Sequence, residues 1–346
     1  KRFLLTLYGQ LTVRLPRVVC QCGGSIPIPF TLLRRWQRVW QDVRMQVQDW
    51  ARRRMSLREM QEDLAKMLET SMGLRTLNEY VHTSSRLQIG ERQLSTVPPV
   101  VALDGIWMTQ LTAKDVERMD KMGRKRQVKR KKRRVILVAL GIWPRTGRYK
   151  ILDWELADGE SRACWDQFLA RLIQRQLWHS RGLRLFIHDG GSGLKASLKR
   201  WYWEIPSQRC VFHKLRNVYR AIVVPDDSTY RQRRALRRQL IRQTAAVFQA
   251  PNLEQAKLVL TDFKEMWEEE QPEAVETLLR DLDDTLRFHT FLQANPSWRP
   301  ETLRTTSFLE RINRMLRRVF REAGAYHSST GLNAAVERVL LPLLVL

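Results

Sequence analysis

Between residues 3 and 19 apolar positions alternate with polar or basic ones, and the run ends at Cys20-Gln21-Cys22-Gly23, the pattern of a hairpin and a turn. From Thr31 to Arg86 the period becomes helical. Trp36, Val39, Trp40, Val43, Val47 and Trp50 form one stripe, so a helix with a single apolar face is expected there. Ser56 with Glu59 three residues on is a capping box that starts a second helix in "SLREMQEDLAKMLE". After Met72-Gly73 a third helix is expected in "LRTLNEYVH". Two short helices around a glycine turn suit either a helix-turn-helix or a plain helical hairpin.

From Val97 the pattern changes to strands. "PPVVALDGIWMTQL", "RRVILVALGIW" and "GRYKILDWELAD" predict three successive strands, joined by a long basic loop and then by a Pro-Arg-Thr-Gly turn. A helix in "SRACWDQFLARLIQRQLW", a buried strand in "GLRLFIHD", a helix in "SLKRWYW" and a strand in "QRCVFH" follow. An antiparallel meander followed by alternating β and α is the order of a ribonuclease H-like core. From Leu215 to about Arg299 the pattern is almost wholly helical, basic in its first half and acidic in its second. Gly190, Gly191 and Gly193 after Asp189 allow backbone to approach a ligand closely.

With 346 residues, 43% of them hydrophobic, the chain can bury a real core and is expected to divide into two to four units. Charge narrows the partners further. The 61 Lys and Arg against 36 Asp and Glu leave a formal charge of +25, which a polyanion would neutralise, so nucleic acid leads and an anionic membrane surface is the rival. The longest apolar run, "VLLPLLVL", falls far short of the roughly 20 residues a spanning helix needs, so no membrane insertion is expected. The chain opens at Lys1 without methionine or a secretory pattern and reads as an internal start. Cysteines at 20, 22, 164 and 210 are too few and scattered for a disulfide framework, which fits a reducing compartment. Cys20 and Cys22 are half of a zinc ribbon or simply part of a turn; a Zn²⁺ site needs two more ligands.

The candidate chemistry lies in three carboxylates. Asp104 sits late in an apolar strand, Asp189 follows another, and Glu310 lies on the polar face of a helix beginning in "TTSFLERINR". At 100° per residue Phe308, Ile312, Met315, Leu316 and Val319 share the apolar face of that helix, and Glu310, Asn313, Arg314, Arg317 and Arg321 the other. Such positions gather ligands at one edge of a sheet, and carboxylate oxygens suit two Mg²⁺ or Mn²⁺ ions that activate water or a 3′-hydroxyl for attack on a phosphodiester. The alternative is ordinary: aspartates in turns and a Glu310–Arg314 pair.

Binding surface is expected elsewhere. The segment Lys114–Arg134, with Lys129, Arg130, Lys131, Lys132, Arg133 and Arg134 at its end, reads as a loop that lies on DNA or stays mobile without it, or as a solvated run. Arg52, Arg53, Arg54 and Arg75 in the helical region, and Arg314, Arg317 and Arg321 beside Glu310, are further phosphate contacts. Trp267 and Trp298 either pack in the core or stack on an unpaired base. His188 reads as a packed core histidine.

The blocks "LDGIW", "HDGGSGLKASLKRWYWEIPSQRCVFHKLRNV" and "RTTSFLERINRMLRR…GAYHSSTGLNAAVERVL" resemble the catalytic blocks of Mutator-like bacterial insertion-sequence transposases, over about residues 97 to 346. The resemblance implies a DDE enzyme with metal ligands Asp104, Asp189 and Glu310, and a Cys-x-x-His pair at Cys210 and His213 that braces the strand-to-helix turn, with zinc as the lesser reading. The fold class is then α/β: a ribonuclease H-like mixed sheet interrupted by an all-α insertion and preceded by a helical DNA-binding domain. The expected divisions are a short β segment at 1–30, a helix-turn-helix-like domain at 31–95, the core at 96–214, the insertion at 215–300 and the end of the core at 301–346. Such a protein would bind the inverted ends of its element and target DNA as a homodimer or larger assembly, in the bacterial cytoplasm at the nucleoid. A catalytically inactive DNA-binding derivative and a ribonuclease H-like nuclease without strand transfer are the alternatives.

Overall fold

Pairing follows the apolar runs in the computed structural model, which describes residues 2–14, 17–27, 33, 37–53, 55–82, 93–304, 307–323, 326, 328–340 and 343. The chain folds into two compact units, Lys1–Ser85 with Thr330–Val339, and Arg86–Ser329 with Leu340–Leu346.

In the first unit β1 (Arg2–Thr6) and β2 (Gly9–Val13) form the expected hairpin, and β3 (Arg17–Val19) and β4 (Ser25–Pro27) a second one across the Cys20–Gly24 turn. The helical stripe starts later than its spacing suggests. Arg38 O accepts from Leu5 N and Trp40 N donates to Leu5 O, both at 2.8 Å, so residues 38–40 are spent pairing with β1 and α1 runs only from Gln41–Arg52. Trp36 lies outside the described residues. The capping box of α2 (Leu57–Leu68) is formed in full: Glu59 N donates to Ser56 Oγ at 3.2 Å and Ser56 N to Glu59 Oε2 at 2.7 Å. With α3 (Leu74–His82) these helices bury Val43, Val47, Ala51, Met60, Leu64, Leu68, Leu77 and Tyr80 in one cluster, at the i, i+4 spacings read from the sequence.

The second unit is built on a mixed five-stranded sheet. Its elements in order are β5 (Val100–Met119), β6 (Lys125–Trp143), β7 (Arg148–Ala157), α4 (Arg162–Gln174), β8 (Leu185–His188), α5 (Ser192–Trp201), β9 (Ser207–Arg209) and α6 (Val211–Ala221). The sheet order is β7-β6-β5-β8-β9, with the first three strands antiparallel and β8 and β9 parallel to β5. That is the meander-then-alternation expected from the sequence. One face of the sheet (Val101, Leu103, Leu137, Ala139, Leu152) packs against Trp165, Phe168, Leu169 and Leu172 of α4 and Leu194 and Leu198 of α5. An ionic knot ties α4 to β7. Arg171 Nε reaches Asp153 Oδ2 at 2.7 Å and its Nη1 Glu155 at 2.8 Å, while Arg175, 2% exposed, stands 3.5 Å from the same aspartate and donates to Leu152 O.

Two expectations are corrected. The basic segment 114–134 is no loop: β5 and β6 continue past the sheet as a two-stranded ribbon, paired from Thr109↔Arg133 to Met119↔Lys125 with one register shift between Leu111 and Asp115. Charged residues on both faces of a two-stranded arm stay hydrated while the backbone groups satisfy each other, so the segment can pair without packing. The turn at its tip is fixed by Asp120, whose Oδ1 accepts from Met122 N and Arg124 N, with Gly123 at φ 73. "QRCVFH" is likewise strand only to Arg209. Cys210 N donates to His188 O at 2.7 Å, the last sheet bond, and α6 begins at the next residue.

After α6 the chain is helical: α7 (Tyr230–Gln249), α8 (Leu253–Trp267), α9 (Pro272–Leu279), α10 (Leu282–Leu286), α11 (Phe288–Ala294), α12 (Pro300–Arg304), α13 (Ser307–Ala323) and α14 (Ser329–Leu340). Among the described residues no helix is long and apolar enough to cross a membrane.

Candidate active site

Parallel pairing of β5 with β8 places Leu103 opposite His188, so the next residue on each strand, Asp104 and Asp189, stand side by side where β8 ends. Asp104 is not near the end of its strand, as the sequence suggested, because β5 runs on into the ribbon. Gly190 turns the chain at φ 97, and Gly191 N donates to Asp189 Oδ1 at 2.9 Å. Loss of solvent around Asp104, then the charge of Asp189 and to a lesser degree Glu160, push its carboxyl up to about 7, against a hydrogen bond from Gly105 N that favours the anion.

Glu160 was not among the sequence candidates. It precedes α4, receives a hydrogen bond from Trp107 Nε1 at 3.0 Å, and lies so close to β5 that a Cβ on Gly105 would fall 1.7 Å from its Oε1. Burial first, and Asp189 after it, raise its carboxyl, while Trp107 works the other way. The close approach expected of Gly193 is made by the protein itself: a Cβ there would lie 2.4 Å from Glu160 O. The signal in the sequence was Gly105, a glycine inside a buried strand, which marks a close neighbour.

Glu310 stands on α13, whose Leu309, Ile312 and Leu316 are buried and whose Arg314, Arg317 and Arg321 are exposed. Leu309, left out of the expected stripe, belongs to it. Phe308 stacks on Tyr149 of β7, with ring centres 5.1 Å apart, and so anchors the start of the helix on the sheet. Burial raises the Glu310 carboxyl, opposed by Arg314 and Arg216. Arg216 of α6 also bears on Asp104, so its charge is felt by both Asp104 and Glu310. Among the described residues no three acidic, histidine or cysteine side chains stand close enough together to hold an ion. Asp104 and Asp189 are brought together; Glu310 is not brought into a shared ligand set with them.

His188 is buried, as expected, and its Nδ1 accepts from Gly190 N at 3.0 Å; desolvation pulls it down to about 4, so it is neutral. Cys210 occupies the N-cap position of α6 without a side-chain capping bond, and His213 sits one turn in, buried, with no hydrogen-bond partner for Nδ1 among the described residues and its basicity lowered to about 4 by burial and then by Arg216. Cys20 and Cys22 are exposed in their turn, where hydrogen bonds from Cys20 and then Gly24 lower the Cys22 thiol. Among the described residues they have no third ligand, so they make up at most half of a Zn²⁺ site.

The binding candidates separate by their partners. Lys132 and Arg134 both reach Asp158, and Arg133 lies over the Trp107 ring at 4.7 Å. Lys129, Arg130 and Lys131 line the exposed ribbon. Arg53 pairs with Asp49 at 2.9 Å and Arg75 with Glu79 at 3.4 Å, whereas Arg54 and the side chain of Arg52 lie outside the described residues. Trp267 is core, 5% exposed and hydrogen-bonded to Gln243, so it is closed to a base; Trp298 stacks on Phe291 with ring centres 6.3 Å apart.

Comparison with known proteins adds a family. The family described as "Transposase, Mutator family" matches residues 1–343. The transposase for insertion sequence element IS406 of Burkholderia multivorans is 32% identical over 191 residues, 55% of this chain and 45% of that protein. The transposase for ISRM5 of Rhizobium meliloti is 30% identical over 186 residues, covering 53% and 42%, and that for IS905 of Lactococcus lactis is 27% identical over 183 residues, with coverage of 53% and 42%. The chain thus spans less than half the length of these relatives. A chain of the Drosophila P element transposase strand transfer complex aligns over 87% of this chain and 91% of its own length, with a TM-score of 0.47 and 8% identity.

Proposed function

Since the chain belongs to the Mutator family of transposases, we propose that it acts as a DNA transposase: it binds the ends of a mobile element, cuts a phosphodiester there and joins the freed 3′-hydroxyl to target DNA. The observation that carries this reading is the Asp104–Asp189 pair at the junction of two parallel strands, two hard oxygen donors whose repulsion a bound proton or cation would relieve. Asp104 and Asp189 would hold Mg²⁺ or Mn²⁺, with Glu310 as the third ligand from α13. The ion would polarise the scissile phosphate and ease deprotonation of the attacking oxygen. Arg216, whose charge bears on both halves of the site, would hold the phosphate against the aspartates. The order of the sheet, interrupted by a long helical stretch before α13, supports a ribonuclease H-like core with an insertion. Holding two ends together requires at least two copies of the protein.

The test is a joining assay with a pre-nicked element end, a target plasmid and Mg²⁺. Joined product is expected, and at limiting Mg²⁺ its initial rate should fall as pH drops below about 7, while excess Mg²⁺ should shift that fall to lower pH, because proton and cation compete for the Asp104 carboxylate. On an intact end run in parallel, cleavage without joining would reduce the protein to a nuclease, and binding with neither step to a DNA-binding derivative.

DNA is proposed to meet the ribbon between β5 and β6, a two-stranded arm of the kind a major groove admits. Glutamine at Arg130 and Lys131 should reduce the slope of log affinity against log salt by about 0.9 for each phosphate left without its cation. The same change at Lys132 and Arg134 should matter less, since Asp158 already neutralises part of their charge. Equal slopes for both variants and the parent, measured by anisotropy across a salt series, would remove the ribbon from the interface.

A further inference from the structure

The helix α7 breaks the local electrostatic rules along its whole first half. Its sequence YRQRRALRRQLIRQTAAVFQ holds six arginines and no acid. Arg231 and Arg233 occupy the first turn, where the helix dipole favours negative charge. Like charges recur at the three- and four-residue spacings that bring side chains together, each unfavourable. Packing does not compensate there. The buried residues of α7 are Leu240, Thr244, Val247 and Phe248, all in its second half; from Tyr230 to Gln239, Leu236 and Arg237 are half-buried and the rest exposed. What starts the helix is a capping box, with Gln232 N donating to Thr229 Oγ1 at 3.3 Å and Thr229 N to Gln232 Oε1 at 2.8 Å.

The six arginines divide into two sets. Arg233 is tied to Ser228 O and Asp226 O, and Arg237 lies over the Tyr219 ring at 5.1 Å. Arg231, Arg234, Arg238 and Arg242 fall on another face at spacings of three, four and four, all exposed, and among the described residues none has a hydrogen-bond or ion-pair partner. They run along one open face of the helix, with Ala235, Gln239, Gln243 and Ala246 beside them. Small and uncharged residues between guanidinium groups leave room for a backbone to lie close, and glutamine amides offer further donors.

We propose that this ladder is a second nucleic-acid surface, which grips the sugar-phosphate backbone of the DNA on which the transposase acts and so rests on the function proposed above. From Arg231 to Arg242 the helix rises about 16 Å, a length over which a duplex carries about nine phosphate charges. Guanidinium pairs with phosphate oxygens through two parallel hydrogen bonds. An anionic membrane is the poorer occupant, since alanine and glutamine, not large apolar side chains, border the ladder.

The experiment compares the parent with Arg234→Gln, Arg238→Gln and Arg242→Gln combined, by anisotropy on a labelled duplex of about 30 base pairs over a salt series. The triple variant should bind about tenfold more weakly near 0.1 M salt, with a slope lower by two to about three. Lysine at the same three positions should restore most of the slope, because the charge returns. A control triple, Arg145→Gln, Arg184→Gln and Lys199→Gln, removes equal charge from other exposed positions and should leave the slope within about one of the parent. Unchanged binding by the ladder triple overturns the ladder alone, provided the parent binds; a parent that binds no duplex overturns the transposase reading with it. Equal loss in the control triple, or loss only on phosphatidylserine vesicles and not on DNA, also overturns the ladder.

Discussion

Asp189→Asn should abolish Mg²⁺-dependent cleavage of an element end, by at least about a thousandfold, and leave the affinity for that end within about twofold. Asn keeps the shape of the side chain and its acceptor for Gly191 N while removing the charge a divalent ion requires. Asp104→Asn should do the same, and its stability separates chemistry from folding. The Asp104 carboxyl in the folded protein is raised to about 7 from an ordinary value of 3.8, so between those limits the folded state binds more protons than the unfolded one. Stability of the parent therefore falls as pH rises through that window. The Asn variant lacks this loss, so it should melt higher than the parent at pH 8 without metal and alike near pH 4. Added Mg²⁺ should raise the parent's melting temperature at pH 8 and not the variant's. An Asp104→Asn protein that still cuts would remove the pair from the chemistry, and an active Glu310→Gln protein would remove only the third ligand.

The largest structural effect is expected at Asp153. Its carboxylate holds Arg171 at 2.7 Å and Arg175 at 3.5 Å between β7 and α4. Burial, opposed by Asp153, already lowers the hold of Arg175 on its proton. Asp153→Ala takes the carboxylate away from that buried guanidinium, a change that costs about 3–5 kcal/mol. Against a total stability of about 5–15 kcal/mol this leaves the protein close to unfolding at 37 °C. Urea midpoints should show it, and Arg175→Met in the same chain should recover much of the loss, because an apolar side chain needs no partner. A single variant within about 1 kcal/mol of the parent would mean that the knot is solvated and weak.

Much of the sheet was legible because burial imposes pattern. Val135–Ile142 reads as an unbroken apolar run since β6 is covered on both sides, and the two aspartates could be found because each follows such a run. The capping box at Ser56 is local, so sequence spacing suffices for it. Pairing partners are not local. Nothing in residues 38–40 shows that Leu5 takes their backbone groups, and nothing in Lys114–Arg134 distinguishes a hydrated ribbon from a loop. Glu160 was hidden for the same reason, since its place depends on Gly105, some fifty residues earlier by register and not by motif. Glu310 was found through the face it occupies on its helix, but a face does not fix how far that helix stands from the strands.

Strand β5 is one unbroken polypeptide from Val100, through Asp104, to the outer end of the arm at Met119. An extended strand barely stretches, so it behaves as a stiff rod clamped in the middle of the sheet and loose at its tip. Torque applied at the tip is carried inward along the rod until it meets a weaker section. That section is the register shift between Leu111 and Asp115, with the bond from Leu111 N to Tyr326 O as a pin just inside it. Load on the arm is expected to bend its outer part about this pivot, so that the Asp104 carboxylate keeps its alignment with Asp189 just beyond β8.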